Sequence, residues 1–89
     1  IIHIKAEGSY SLIYLRDQKP IMASKNLKEF EKQLEGDNFF RVHNSHLINL
    51  DYVLKYIKSE GGRVVMTDGS EIEVSRNKKD QFLGLMSGG

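Results

Sequence analysis

The chain has 89 residues, of which 39% are hydrophobic and 28% are charged, and its formal net charge is +1 at pH 7. These values are typical of one globular domain and exclude a disordered chain, while the low net charge gives little support by itself to nucleic-acid binding. The absence of cysteine excludes disulfides and thiolate zinc sites, and no apolar run approaches the roughly 20 residues that cross a bilayer, so we expect a cytoplasmic protein with no membrane partner.

The first part of the chain predicts three strands. Residues 2–6 alternate between apolar and polar character and predict a strand, a second strand is expected over residues 10–16, and Glu7-Gly8-Ser9 supplies turn residues between them. The two strands should therefore form a hairpin. Pro20 comes directly before a third, shorter strand over residues 21–23. Because proline has no N–H to donate, it fits the start of a strand or an edge strand.

The next segment predicts a short helix. Asn26 and Glu29 have the spacing of a variant capping box, with Ser24 as a competing N-cap, and Gly36 stands where a left-handed C-terminal cap is expected. Apolar residues between them recur at helical spacing and are more consistent with core packing than with a ligand site. These residues are Leu27, Phe30 and Leu34.

The last part of the chain predicts three strands and a second helix. The strands are expected over residues 53–58, 63–67 and 71–74. Glu60-Gly61-Gly62 supplies one turn, and Asp68-Gly69 is the strongest hairpin signal, since both central positions of such a turn favour positive φ. Ser75 resembles the N-cap of the helix. The apolar side of that helix should consist of Phe82, Leu83 and Met86.

The central stretch, residues 39–50, combines an alternating strand with a polar interruption. Phe40 and Val42 fall on one face and Phe39, Arg41 and His43 on the other, which indicates a half-buried strand. Four polar residues, 43–46, then precede renewed apolar character. Polar groups beside so much apolar surface should either be hydrogen-bonded within the protein or be exposed, where they are available to bind a ligand.

Within that interruption, Asn44 has the most specific chemistry. Its carboxamide offers a donor and an acceptor side by side, and the pair matches the edge of adenine. The polar junctions 9–11 and 75–77 also contain side chains that bind bases or phosphates. A cap and a solvated surface cation are the alternative interpretations of Ser75 and Arg76.

The chain resembles a known family through these motifs. The run FFRVHNSHLINL from Phe39 to Leu50, followed by Asp68-Gly69 and Val74-Ser75-Arg76, is similar to the LytTR DNA-binding domain, the output module of many bacterial response regulators. The order and spacing of the motifs match over nearly the whole chain. Asn44 stands where many members carry a basic residue and some carry asparagine.

The resemblance implies a mainly β fold in which small antiparallel sheets are arranged in an elongated way, with two short helices and loops along one side. We expect His43, with the aromatic residues Phe39, Phe40 and Tyr56, to support the Asn44 loop from behind. By carry-over from the family, two sets of residues should contact DNA. The residues implied to contact bases are Tyr10, Ser11, Asn44 and Arg76. Those implied to contact phosphates are Ser45, Asn77, Lys78 and Lys79.

The implied function is sequence-specific binding of double-stranded DNA in the control of transcription, with no enzymatic activity, metal or cofactor. Residues 1–89 should form a single domain. Because the chain begins inside an apparent strand, we expect a piece of a longer two-component response regulator, whose N-terminal part would be a receiver domain. Two or more copies should bind direct repeats, since a domain of this size covers little DNA.

Two other classes of function are less well supported by the residues. The stretch contains the residue types of a hydrolase, namely His43, Ser45, His46 and Asp51. The adjacent Ser45 and His46 would point to opposite faces of a strand, which argues against a catalytic pair. His43 and His46 are three apart, a spacing that suits one face of a helix better than a strand, which argues against a metal site. The main alternative to DNA binding is a protein-interaction module that uses an exposed β edge, for which the strand after Pro20 is the candidate.

Overall fold

In the computed structural model, residues 1–59 and 61–87 are described. The strands of this part of the chain are β1 (His3–Glu7), β2 (Tyr10–Tyr14), β3 (Ile21–Ala23), β4 (Phe39–His43), β5 (His46–Asn49), β6 (Val53–Ile57), β7 (Arg63–Met66) and β8 (Glu71–Glu73). The α-helices are α1 (Leu27–Gln33) and α2 (Lys79–Ser87), and short 3-10 helices cover Leu50–Tyr52 and Arg76–Lys78. The predicted mainly β fold with two helices is confirmed.

The strands form two antiparallel sheets. The larger sheet has the order β3-β2-β1-β5-β4, and the smaller has the order β6-β7-β8. β3 therefore lies at an edge, which is one of the two positions that Pro20 fits. The molecule is moderately longer than wide, with extents of 32, 25 and 24 Å along its principal axes. None of the helices in residues 1–59 and 61–87 is long and apolar enough to cross a membrane.

The predicted hairpin between the first two strands is present. Glu7 is paired with Tyr10, so Gly8 and Ser9 form a two-residue turn, and Gly8 has a φ of +60°. The second strand ends at Tyr14, two residues earlier than expected. Since a left-handed φ is readily adopted by glycine, Gly8 is the residue that allows so tight a turn.

The first helix begins as its sequence predicts. The side chain of Asn26 accepts a hydrogen bond from the Glu29 N–H at 2.9 Å, and the Glu29 carboxylate accepts one from the Asn26 N–H at 3.0 Å. This reciprocal pair is a complete capping box, so the competing interpretation of Ser24 as the cap is wrong. The helix has its C-cap at Leu34, and Gly36, with a φ of +88°, lies two residues beyond it.

The hairpin between β7 and β8 differs from the expected two-residue turn. The Met66 N–H donates to the Ser70 carbonyl at 2.8 Å, which makes Thr67, Asp68 and Gly69 a three-residue loop. Only Gly69 in this loop has a positive φ, +89°. Asp68 instead accepts a hydrogen bond from the Ser70 N–H at 2.9 Å, as an Asx turn does. Part of the other predicted turn, Glu60, lies outside the described residues.

Both faces of the larger sheet are covered. Residues of β4 and β5 on one face pack with the smaller sheet and α2, whereas the other face packs against α1. The first cluster is Ile2, Phe40, Val42, Ile48, Val64, Met66, Ile72, Val74 and Phe82. The second is Ile4, Leu27, Phe30 and Leu47. Burial of apolar surface on both faces therefore stabilises the larger sheet. Phe40 and Val42 both belong to the first cluster, as their predicted inward positions require.

The predicted apolar side of α2 is buried at only one of its three residues. Phe82 is fully buried and contacts Phe40 with a ring-centroid separation of 6.3 Å. Leu83 and Met86 are 38% and 41% exposed. Successive side chains of an α-helix are about 100° apart around its axis. Phe82 points into the core, and the side chains of Leu83 and Met86 lie at the border of that face and remain partly exposed.

Candidate nucleic-acid interface

The polar interruption of the central stretch is the turn of a β-hairpin. His43 is paired with His46, which leaves Asn44 and Ser45 as the turn between β4 and β5. Arg41 is paired with Leu47, so the register shifts by one residue and Val42 is the extra residue of a β-bulge. Such a bulge bends the strand that carries it, and here it precedes the turn directly.

Asn44 lies at the exposed tip of this turn, and His43 lies behind it. The Nδ1 atom of His43 accepts a hydrogen bond from the Ser45 N–H at 3.1 Å. The carboxamide of Asn44 makes no hydrogen bond within residues 1–59 and 61–87. The turn is thus held through its backbone while the Asn44 side chain is left available for a ligand.

Arg41 also holds the turn, a role that the sequence analysis did not assign. Its guanidinium donates to the carbonyls of His43 and Asn44 at 3.1 and 2.6 Å. It also donates to the Glu31 carboxylate at 3.0 Å. The sequence places Arg41 on the face of β4 opposite to Phe40 and Val42, so a structural role for this charge was possible. Its hydrogen-bond partners cannot be predicted from the alternating pattern.

The turn between β1 and β2 lies beside this hairpin. The Ala6 N–H donates to the Ser45 carbonyl at 2.9 Å, and Lys5 is paired with His46. Tyr10, the first residue after the turn, is 48% exposed. The first two predicted junctions are therefore at the same end of the larger sheet.

Ser11 requires a correction. It was expected to contact bases, but its side chain has no exposed surface, and its hydroxyl donates to the Lys25 carbonyl at 2.6 Å. In a strand, successive side chains point to opposite faces, so an outward Tyr10 places Ser11 inward. Ser11 is therefore a buried structural residue and is not included in the interface.

The third junction is joined to the β-bulge. Both the N–H and the hydroxyl of Ser75 donate to the Val42 carbonyl, at 2.8 and 3.0 Å. Ser75 occupies the predicted N-cap position, at the start of the 3-10 helix that leads into α2, but its side chain makes no capping hydrogen bond. Arg76 and Asn77 follow it and are exposed.

The two lysines after this junction are half-buried and contact the protein itself. The Nζ atom of Lys78 lies 5.8 Å from the centroid of the Phe40 ring. The Cε atom of Lys79 lies 3.0 Å from the position that a Cβ on Gly62 would occupy. Since lysine side chains pack their methylene stems while the ammonium stays in water, both charges remain near the surface.

Two histidines face each other across the hairpin. The ring centroids of His43 and His46 are 5.4 Å apart, because the hairpin pairs two residues that a single continuous strand would have kept apart. Burial, followed by the neighbouring His43, lowers the pKa of His46 to about 4. The Nε2 atom of His43 lies 3.9 Å from the Glu73 carboxylate. In the part of the chain that the structure describes, no group of three or more acidic, histidine or cysteine residues is arranged to hold a metal ion.

Backbone hydrogen bonds connect the three junctions into one surface. The Ser45 carbonyl joins the hairpin turn to β1, and the Val42 carbonyl joins the hairpin to Ser75. This surface, which we name the junction surface, presents three side chains that differ in chemistry: Tyr10, Asn44 and Arg76. A carboxamide and a guanidinium are the side chains that most often read adenine and guanine in the major groove.

Comparison with known proteins assigns the class of protein. The family model of the LytTr DNA-binding domain matches residues 1–87. The chain therefore belongs to this family of DNA-binding domains, which serves transcription regulation.

Individual relatives agree with that assignment. The chain is 29% identical over 89 residues to the haem-containing CO-sensing transcriptional regulator RcoM 1 of Paraburkholderia xenovorans, covering 97% of the chain and 33% of the regulator. It is 28% identical over 90 residues to the CO-responsive transcriptional regulator RcoM of Rhodospirillum rubrum, covering 98% of the chain and 38% of the regulator. The chain thus spans about a third of the length of these relatives.

A solved structure has the same fold. It is the LytTr DNA-binding domain of a Bacillus cereus protein described as a methyl-accepting/DNA response regulator. The two structures superpose with a TM-score of 0.84 at 20% sequence identity, over 98% of this chain and 81% of that one. The expectation of a LytTR fold is confirmed.

Proposed function

We propose that this chain binds double-stranded DNA sequence-specifically through the junction surface, as the output domain of a two-component response regulator. The observation that carries the proposal is the pair of backbone links, Ala6 to Ser45 and Ser75 to Val42, that bring three separate polar junctions to one surface. Its exposed side chains, Tyr10, Asn44 and Arg76, come from three different segments of the chain. Because the three side chains come from separate loops, they can contact bases at several positions along a duplex. Contacts to several bases are what recognition of a DNA sequence requires.

In this proposal, bases are read by Asn44 and Arg76, and Tyr10 occupies a third contact. Asparagine matches adenine and arginine matches guanine, each through two hydrogen bonds. The remaining polar residues of the surface would hold the backbone of the duplex. They are Ser45, Asn77, Lys78 and Lys79.

The proposed context is a regulator that acts in the cytoplasm with an N-terminal receiver domain. Two or more copies would bind direct repeats near one helical turn apart, because a single small domain contacts few base pairs. The relatives are transcriptional regulators of which this domain forms about a third, which supports its role as one part of a larger regulator.

A selection of binding sites from random duplex DNA tests the proposal. The selected duplex and a scrambled version of it are then titrated with the domain at several salt concentrations. We expect preference for the selected duplex and affinity that falls steeply with salt, because bound phosphates displace counterions. The double variant Asn44→Ala/Arg76→Ala is the matched control and should lose the preference. Absence of enrichment over random sequence at moderate salt would refute sequence-specific binding.

One observation favours a second candidate function, protein interaction through an exposed strand. β3 is an edge strand, and two of its residues, Ile21 and Met22, are 49% and 61% exposed. An added strand binds through backbone hydrogen bonds and apolar contacts, so its affinity should depend little on salt. Met22→Lys should prevent such an interaction and leave base preference unchanged, since Met22 is paired with Leu12 of β2 and not with a residue proposed to contact DNA.

A further inference from the structure

We propose that Arg41 is a positioning residue that fixes the direction of the Asn44 side chain, and that Glu31 of α1 orients Arg41 for this purpose. The inference rests on the proposed reading of DNA by Asn44. It assigns a role in specificity to two residues that do not themselves contact a base. One of them lies on α1, the helix that packs on the face of the larger sheet opposite to the smaller sheet.

The hydrogen bonds of Arg41 act on both sides of Asn44. One donor, Nε, lies 3.1 Å from the His43 carbonyl, and a terminal nitrogen lies 2.6 Å from the Asn44 carbonyl. These two carbonyls belong to the planar peptide groups that precede and follow the Cα of Asn44. The relative orientation of those two planes is what φ and ψ describe, so holding both carbonyls fixes the direction of the Cα–Cβ bond of Asn44.

The next residue of the turn is held from two further directions. The Ser45 N–H donates to His43 Nδ1 at 3.1 Å, and the Ser45 carbonyl accepts from the Ala6 N–H at 2.9 Å. With the backbone held on both sides, the remaining freedom of Asn44 lies in its own side-chain torsions. A side chain held in this way is preorganised for a bidentate contact, which depends on the angle of approach.

Glu31 determines where the guanidinium lies. Its carboxylate accepts from the other terminal nitrogen of Arg41 at 3.0 Å, and the two side chains are 47% and 25% exposed. The helix that carries Glu31 is anchored on the sheet by Leu27 and Phe30. An ion pair with this exposure adds little to stability, so orientation is the effect to expect from it.

The planar shape of the guanidinium is essential to this role. Arginine presents its donors in a rigid fork, whereas lysine is a single flexible charge. A lysine at position 41 would keep the positive charge but would not hold two carbonyls and a carboxylate together. Charge and positioning are therefore separable by one substitution, Arg41→Lys.

The experiment compares binding of the full domain to the selected duplex and to duplexes changed at the base pair that Asn44→Ala identifies. We expect Arg41→Lys to lose about tenfold of the discrimination at that base pair, an effect of the size of one base contact. Its salt dependence should be unchanged, because the charge is kept. The matched control is Arg16→Lys, an arginine in the loop after β2 whose side chain is 74% exposed.

Glu31→Gln provides a second test that does not depend on the folding of an Arg41 variant. It should lower discrimination at the same base pair about threefold in the same direction, since a neutral acceptor holds the fork less firmly. Glu35→Gln, on the exposed surface after the same helix, is the control and should have no effect. Unchanged discrimination in Glu31→Gln would overturn the role assigned to Glu31.

Two outcomes separate this inference from the proposed function. If Arg41→Lys binds with wild-type discrimination while Arg41→Gln lowers the salt slope by about one, Arg41 is a phosphate anchor and the positioning role is wrong. If the unmodified domain itself does not distinguish the selected duplex from the scrambled one, the proposed function has failed instead.

Discussion

The carbonyl of Val42 accepts two hydrogen bonds from Ser75, one from the N–H at 2.8 Å and one from the hydroxyl at 3.0 Å. The β-bulge leaves Val42 without a register partner on β5, so its carbonyl is available to a residue 33 positions later in the chain. This contact places the junction before Arg76 against the hairpin that carries Asn44. The relative positions of the two proposed base readers therefore depend on one bulged residue.

Replacing Ser75 with alanine should remove one of these two hydrogen bonds and keep the other. We expect a loss of about 0.5–1.5 kcal/mol in the free energy of unfolding, the usual net value of one hydrogen bond. Affinity for the selected duplex should also fall several-fold because Arg76 is less firmly placed. Denaturant unfolding and DNA titration measure the two effects, with the exposed Ser24→Ala as control. Wild-type values in both would contradict the structural role of the hydroxyl.

Replacing Phe40 with alanine should destabilise the fold by about 3–5 kcal/mol, the usual cost of truncating a buried phenylalanine. Its ring is 8% exposed and packs 6.3 Å from that of Phe82. Thermal unfolding measures the change, and Leu54→Ala, at a side chain that is 63% exposed, is the control. A melting temperature equal to that of the wild type would contradict the inward face assigned to β4.

The two neighbours Tyr10 and Ser11 should respond in opposite ways to alanine. Ser11→Ala leaves the Lys25 carbonyl without its donor and should cost about 0.5–1.5 kcal/mol of stability, while the folded fraction keeps its preference for DNA sequence. Tyr10→Ala removes an exposed side chain and should weaken DNA binding with little change in stability. Equal loss of base preference in both variants would restore Ser11 to the interface.

Alanine variants of Arg76 and Lys79 should weaken DNA binding in different ways. Arg76→Ala, and similarly Asn44→Ala, should cost roughly 1–3 kcal/mol on the preferred site and relax the preference at one base pair. Lys79→Ala should weaken preferred and scrambled duplexes about equally and lower the salt slope by about one. Titrations of each variant against both duplexes at several salt concentrations provide the comparison. Equal losses on both duplexes for Arg76→Ala, with unchanged base preference, would make Arg76 a phosphate contact.

The stability of the domain should fall as the pH decreases from about 6.5 to 4. Burial, followed by the proximity of His43, lowers the pKa of folded His46 to about 4 from its ordinary value of 6.5. In this range the unfolded chain takes up a proton that the folded chain does not, and below it both forms are protonated. Because His46 is partly accessible to solvent, we expect a contribution of about 1–2 kcal/mol. The difference between the unfolding free energies of wild type and His46→Gln across this range measures it, and parallel curves would contradict it.

The sequence by itself determined the features that depend on residues close together in the chain. Alternation along β4 indicated that Phe40 and Val42 are the buried residues of this strand, and Asn26 with Glu29 indicated where α1 begins. The motifs between Phe39 and Arg76 also carried the resemblance to the family, and the polar junctions at residues 9–11, 43–46 and 75–77 were visible as interruptions of the apolar pattern. The strand and the helix start are signalled by periodicity and by a cap, which are complete within a few residues.

Only the tertiary structure decided which polar groups the fold uses and which it leaves exposed. The hydroxyl of Ser11 is bound by a carbonyl 14 residues away, and that of Ser75 by one 33 residues away. The role of Arg41 likewise depends on Glu31, which a helix and the sheet register bring to 3.0 Å. A polar residue at a junction satisfies its hydrogen bonds with whatever the folded chain places beside it, and local sequence does not contain that neighbour.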